Sequence, residues 1–182
     1  MYNLDDIKLR KIKLKDIENL RIERNKFFVR SKMLDQKIIT KKKQFEWFKL
    51  SSKTKTSNYF VINFKNVAIG AGSIKDIDIA NNTCTWGYYI FEKYRGIFGL
   101  LTQIKILDEI FVKKKIRKVY GHTISHNKDV LKLHKICGFE IEGILKKQLL
   151  IKKKTRDVII TSLFKKNWIK IKKKLIKKFK LQ

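Results

Sequence analysis

A chain of 182 residues with 43% apolar side chains can bury one proper core, and its regular apolar periodicity argues against disorder. A formal net charge of +29 would usually point to nucleic acid, but lysines are spread over nearly every segment and alternate with apolar residues, as a solvated face does. Proline is absent, alanine occurs only at Ala68, Ala71 and Ala80, and Lys, Ile and Asn are heavily used. An AT-rich coding sequence imposes such a composition on any protein. The charge therefore argues against a dedicated, specific nucleic-acid surface and leaves a field that favours anionic ligands in general.

In chain order, Ile7, Leu9, Ile12 and Leu14 predict a first strand, and Asp16 a cap for a helix carrying Ile17, Leu20 and Ile22. Arg24 to Met33 has no clean period. Thr40 precedes a helix with Phe45, Trp47 and Phe48 that ends near Ser51, and Ser51 to Ser57 reads as a loop. Tyr59 to Phe64 and Val67 to Ile74 predict a hairpin turning at Lys65-Asn66. Gly70 and Gly72 inside its second strand predict a bulge or a close backbone approach.

After a turn at Asn81-Asn82 comes an alternating, aromatic-rich run, Thr85 to Ile90. A basic turn, Lys93-Tyr94-Arg95-Gly96-Ile97-Phe98-Gly99, then opens into a helix reaching about Lys114. Strand, glycine turn and helix suit a pyrophosphate at the helix N-terminus, and equally an ordinary α/β connection. Arg117 to Thr123 predicts a strand, and Asn127 opens a helix that Gly138 stops. Phe139 to Leu150 and Arg156 to Phe164 are the last two strands. Residues 1–166 form the expected domain. Residues 167–182 form a basic amphipathic helix whose apolar stripe, from Trp168 to Phe179, packs on its own domain or on a second copy, or lies on a membrane.

No apolar run reaches membrane-spanning length and the N-terminus has no signal segment, so the expectation is a cytoplasmic chain without integral membrane contact. Cys84 and Cys137 read as reduced core thiols. His122, His126, His134 and the cysteines lack metal-ligand spacing, and no metal is expected.

Two motifs together resemble the GNAT N-acetyltransferase family, and the resemblance covers the chain up to about Trp168. Arg95-Gly96-Ile97-Phe98-Gly99-Leu100-Leu101 resembles its pyrophosphate turn, with either Gly96 or Ile97 at the first glycine position. Asn127 to Glu140 resembles its Asn-to-Gly-Phe helix, with His134 where the family usually has tyrosine. The resemblance implies an α+β fold with a mixed, mostly antiparallel sheet of about seven strands flanked by helices. It also implies acetyl-CoA as co-substrate. Within the family the chain most resembles the PseH-like enzymes, which acetylate nucleotide-linked amino sugars of the pseudaminic-acid type. Arg24, Asn25, Arg30 and Met33, among others, carry that looser likeness.

Several roles follow from the resemblance. Backbone groups of Tyr88, Tyr89 and Ile90 would pair with the pantetheine arm. Amides of Arg95, Gly96, Ile97, Phe98, Gly99 and Leu100, with the Arg95 side chain, would hold the pyrophosphate, and Asn127 and Val130 would complete the cofactor groove. His134 would protonate the leaving thiolate, and His122 or Glu92 would serve as base through a water. Arg24, Asn25, Arg30 and Met33 would contact the acceptor, a nucleotide sugar. The rivals are an acetyltransferase acting on protein N-termini and a non-enzymatic basic module for nucleic acid or membrane.

Overall fold

The structure, a computed structural model, describes residues 2–182. Seven strands form one sheet in the order β1-β2-β3-β4-β5-β7-β6. These are β1 (Ile7–Lys11), β2 (Asn58–Phe64), β3 (Val67–Asp78), β4 (Thr83–Ile90), β5 (Lys118–Ile124), β6 (Glu140–Ile151) and β7 (Lys154–Phe164). Helices α1 (Ile17–Asn25), α2 (Phe27–Arg30) and α3 (Lys41–Ser51) precede β2. Helix α4 (Ile97–Asp108) joins β4 to β5, α5 (Lys128–Ile136) joins β5 to β6, and α6 (Lys165–Phe179) follows β7.

Alternation along the strands divides the core into two layers. Phe60 and Ile62 of β2 join the larger cluster with α4 and α6, while Val61 between them faces the smaller cluster built on Leu20 of α1 and Trp47 of α3. Two of the three hairpins, β2–β3 and β6–β7, turn on residue pairs with positive φ, Lys65 (46°) with Asn66 (70°) and Lys152 (47°) with Lys153 (62°), the backbone that twists with its strands. Gly70 and Gly72 mark close approaches, as their place inside a strand predicts. A Cβ at Gly70 would stand 2.2 Å from the Tyr89 carbonyl oxygen, and one at Gly72 would stand 2.6 Å from the Phe60 ring.

Two local readings change. β1 stops at Lys11 rather than Leu14, and Asp16 does not cap α1 through its side chain. Its carboxylate instead accepts the Lys13 N–H (2.7 Å) and both Arg10 guanidinium nitrogens (2.8 and 3.0 Å), which folds the chain into a tight turn. The Arg10 hydrogen bonds hold the Asp16 carboxyl below its ordinary range.

Helix α6 starts at Lys165, and its apolar stripe enters the main core. Trp168 is fully buried, and its indole N–H donates to Asp108 Oδ1 (3.1 Å). Gly138, with φ of 79°, lies so close beneath Ile171 that a Cβ there would come 2.0 Å from the Ile171 Cδ1. The cysteines are buried and free, each thiol pushed up to about 12 by burial.

One parallel contact breaks the otherwise antiparallel ladder. β4 and β5 pair only through Thr83, Thr85 and the residue between them, opposite Lys118 to Tyr120. Beyond Tyr120 the two strands diverge, leaving backbone from Trp86 to Ile90 and from Gly121 to Ile124 unpaired with one another.

Candidate active site

The divergence of β4 and β5 opens a cavity of about 1020 Å³ that reaches both faces of the sheet. Trp86, Tyr88, Gly99, Leu133 and His134 line it on the α4 and α5 side, and Leu20, Arg24, Gln44, Trp47, Tyr59 and Tyr89 on the α1 and α3 side. Alternation on β4 explains the division, since Tyr88 packs against the larger cluster and Tyr89 against the smaller. Two reactants could thus meet in the gap from opposite faces.

Tyr88, Tyr89 and Ile90 all line the gap. The Tyr88 hydroxyl lies 2.9 Å from the Gly99 carbonyl and 3.2 Å from Gln103 Oε1, and the Tyr89 hydroxyl donates to the Leu20 carbonyl (3.3 Å). Burial raises both phenols well above their ordinary range, so both stay protonated near neutrality.

At the turn expected to hold the pyrophosphate, Gly96 is the residue before α4, with φ 76° and ψ −127°, a conformation open to glycine alone. Of the two residues offered for the motif's first glycine, Gly96 has the backbone that requires glycine, while Ile97 is the first residue of α4. Arg95, Gly96, Gly99 and Leu100 line the cavity, whereas the side chains of Ile97 and Phe98 turn into the core and only their backbone can face a ligand. The N–H groups of a first helical turn lack intrahelical partners, although that of Gly99 already reaches the Gly96 carbonyl at 3.2 Å. The Arg95 guanidinium stacks 4.8 Å over the Phe28 ring, which carries it to the cavity mouth.

Asn127 and Val130 line the same side. Asn127 is 5% exposed, and its Oδ1 is buried without a hydrogen-bond partner among the described residues. A buried amide oxygen left unpaired is costly, and a ligand's N–H would satisfy it.

His134 is 6% exposed, stacked on Trp86 and Phe139, with Nδ1 3.0 Å from Thr161 Oγ1. Burial pushes its pKa down to about 4. Near neutrality burial therefore favours the uncharged ring, which can offer a hydrogen bond toward the cavity. His122 is exposed on β5 and lines the cavity. Glu92 sits exposed on the 3-10 turn after β4, outside the lining, because that turn directs it to solvent.

The four residues expected to contact the acceptor separate. Arg24 and Met33 line the cavity, while Asn25 and Arg30 do not. Asn25 forms a two-way amide pair with Ile39 (2.8 and 2.9 Å), and Arg30 donates to the carbonyls of Asn25 (3.2 Å) and Gln36 (3.0 Å). Both hold the 31–39 loop in shape. Arg24 donates to the Asp35 carbonyl (2.8 Å), and its Nη1 is buried without a hydrogen-bond partner among the described residues.

Sequence reading missed Gln44, which is 7% exposed, lines the cavity and has no side-chain hydrogen bond among the described residues. Trp47, one turn further, meets Tyr59 edge to face at 5.1 Å. The signal was present: Gln44, Trp47 and Phe48 share the i, i+3, i+4 face of a lysine-rich helix, and a lone amide on the apolar face is unusual.

Six cationic side chains line the cavity (Arg24, Lys32, Lys37, Lys43, Lys75, Arg95) against two carboxylates, Asp35 and Asp129. Asp35 accepts the Lys37 backbone N–H (2.9 Å) and Asp129 pairs with Lys32 (3.4 Å). Among the described residues no group of three or more His, Cys, Asp or Glu side chains could hold a metal, and no described helix is long and apolar enough to cross a membrane.

No curated protein matches the chain. Among solved structures it is similar to a spermidine N-acetyltransferase from Vibrio cholerae in complex with CoA and spermine. The TM-score is 0.85 at 18% identity, over 91% of this chain and 99% of that one. A chimera of the Vibrio cholerae enzyme with hSSAT gives a TM-score of 0.81 at 18% identity, over 91% and 99%. The same organism's spermidine/spermine N-acetyltransferase SpeG with manganese ions gives 0.77 at 18%, over 92% and 97%. These likenesses show the fold, and they are not to PseH-like enzymes. The model of the family described as "Acetyltransferase (GNAT) domain" matches residues 6–140. The chain belongs to the GNAT acetyltransferase family and is an acetyl-CoA-dependent N-acetyltransferase.

Proposed function

We propose that the acceptor amine sits on an anionic small molecule, a nucleotide-linked amino sugar, rather than on a polyamine. The excess of cations over carboxylates around the cavity carries this reading. A polycation needs carboxylates to replace its lost hydration, and the two present are exposed and already engaged. A sugar diphosphate would instead meet Arg24, Lys37 and Lys43, and an aromatic wall of Trp47 and Tyr59 would receive its base. The unpaired Gln44 amide adds a donor and an acceptor.

When bound, acetyl-CoA supplies a thioester whose C–S bond breaks as the amine nitrogen forms a bond to the acetyl carbon. The unpaired β4 edge from Tyr88 to Ile90 would hold the pantetheine arm as an added strand, with Asn127 Oδ1 accepting from one of its amides. The first turn of α4 and Arg95 would hold the pyrophosphate. His122 would take the amine proton through a water. His134, with Thr161 donating to Nδ1, would present Nε2–H to the departing sulfur and stabilise the thiolate by hydrogen bonding.

The test is turnover of acetyl-CoA with a UDP-linked 4-amino-4,6-dideoxy sugar against spermidine. We expect kcat/KM to favour the nucleotide sugar by about a hundredfold or more, the scale of a few buried charged contacts. A preference for spermidine would overturn the acceptor assignment.

Cofactor placement has its own test at Gly99. A Cβ there would stand 3.6 Å from Leu133 Cδ2, an ordinary contact. Gly99→Ala should bind acetyl-CoA as the wild type does, whereas the indole of Gly99→Trp should fill the groove and weaken binding by about thirtyfold or more by calorimetry. Equal affinity for both variants would place the cofactor elsewhere.

A further inference from the structure

We propose that the outer face of α6 is a docking surface for the phosphate backbone of double-stranded nucleic acid, bound without regard to sequence. Helix α6 contains eight lysines and no acidic residue, against a net charge of +29 for the whole chain. More than a quarter of the net charge thus sits on a helix about 22 Å long. Elsewhere the spread of lysines reads as solvated surface, but here the fold sorts them onto one side.

Trp168 and Leu175 are buried, and Ile171, Ile176 and Phe179 pack against the main core. That leaves Lys166, Lys170, Lys173, Lys174, Lys177 and Lys178 on the exposed side, with Ile169 the one exposed apolar residue of the helix. Of the α6 lysines, Lys172 pairs with Asp108 (2.6 Å), and none of the six exposed ones has a carboxylate partner among the described residues. Lys166 with Lys170, Lys170 with Lys174, Lys173 with Lys177 and Lys174 with Lys178 are like-charge neighbours four residues apart, which destabilise an isolated helix. Lys165 and Lys166 also stand at the N-terminal turn, where the helix dipole opposes cations. Buried apolar contacts hold the helix against this repulsion, and a polyanion would relieve it.

The form of the face selects the partner. A bilayer takes up an amphipathic helix by burying its apolar stripe, and here that stripe is already inside the protein. Single strands are gripped by exposed aromatics, and none stands among these lysines. A duplex carries one charge per ~1.7 Å of axis and so presents roughly a dozen phosphate charges along such a helix. No α6 residue lines the catalytic cavity, so this surface stands independently of the acceptor assignment.

The experiment measures binding of the full chain to a mixed-sequence duplex by fluorescence anisotropy, from roughly 50 to 200 mM salt. One variant carries Lys170→Gln, Lys173→Gln, Lys174→Gln and Lys177→Gln. A charge-matched control carries Lys13→Gln, Lys15→Gln, Lys53→Gln and Lys55→Gln, all exposed positions away from α6. Glutamine has nearly the helix propensity of lysine, so the fold is kept. The α6 variant should lose about thirtyfold in affinity at the lower salt, and its slope of log K against log salt should be shallower by about 3. The control should stay within about threefold of wild type, and both should keep wild-type turnover. Equal losses in the two variants would mean that only the overall field acts, and would overturn the proposal. So would an α6-dependent loss seen on phosphatidylserine vesicles and not on the duplex.

Discussion

Gly70→Ala is expected to lower stability by about 3 kcal/mol and to weaken acetyl-CoA binding by about tenfold. The added methyl would sit 2.2 Å from the Tyr89 carbonyl oxygen and 3.2 Å from the Ile90 Cα. Both are backbone atoms of a paired strand, so no rotamer change makes room. β4 must move away from β3 just where Gly70 pairs with Ile90 and where the Phe91 N–H donates to the Ile69 carbonyl (2.8 Å). The displaced residues are those proposed to hold the pantetheine arm, so one methyl reaches fold and cofactor together. In a chain of this size the stability loss corresponds to a fall in Tm of roughly 6–12 °C. Gly72→Ala is the control. Its methyl would meet the far end of the Phe60 ring, 2.6 Å away, and more loosely the Tyr88 Cβ, 3.0 Å away, so it presses on side-chain atoms, and a ring can turn where a carbonyl cannot. It should cost stability while leaving acetyl-CoA affinity within about twofold. Thermal unfolding and a cofactor titration on the two variants check this. Wild-type values for Gly70→Ala would mean that the two strands have slack.

His134→Phe is expected to lower kcat by about tenfold to a hundredfold at unchanged KM for acetyl-CoA, and to flatten the acid side of the stability profile. In the folded chain burial holds the imidazole near a pKa of about 4, and in the unfolded chain it returns to about 6.5. Between those values the unfolded state binds a proton that the folded state refuses. The contribution is therefore fully present above pH ~6.5 and is lost as pH falls toward ~4, by roughly 3 kcal/mol in all. Phenylalanine keeps the stack against Trp86 and Phe139 but cannot titrate, so denaturant melts at pH ~7 and ~5 should differ less in the variant than in the wild type. The neutral ring also predicts that the kcat profile of the wild type has no limb from His134 between pH ~5 and ~8. Equal kcat in the two proteins would reduce His134 to a core residue.

Much of the architecture could be read from residue periods. The lysine and asparagine of the β2 to β3 turn, the Thr40 cap whose hydroxyl accepts the Lys43 N–H (3.3 Å), and the helix-stopping Gly138 are all local signals. The α4 and α5 side of the cavity was legible for the same reason, since a glycine turn and the helix from Asn127 are contiguous in sequence. The opposite side was not, because its walls come from α1, α3, β2 and β3, and a residue type does not reveal its partner. Arg30 and Asn25 look like ligand groups until the backbone carbonyls of residues 36 and 39 take them. Gln44 looks like surface until α3 turns it inward. The environment of His134 was equally hidden, being set by burial against Trp86 and Phe139.

The short seam between β4 and β5 has a mechanical consequence. With only three residue pairs joining them, β1 to β4 and β5 to β7 are two plates fastened near one end, and elsewhere helices rather than ladder bonds couple them. On the proposed binding mode the cofactor is the missing rung between the plates. Each catalytic cycle would then stiffen the molecule on loading and slacken it on release. Amide exchange along β4 and β5 would report turnover as directly as product formation does.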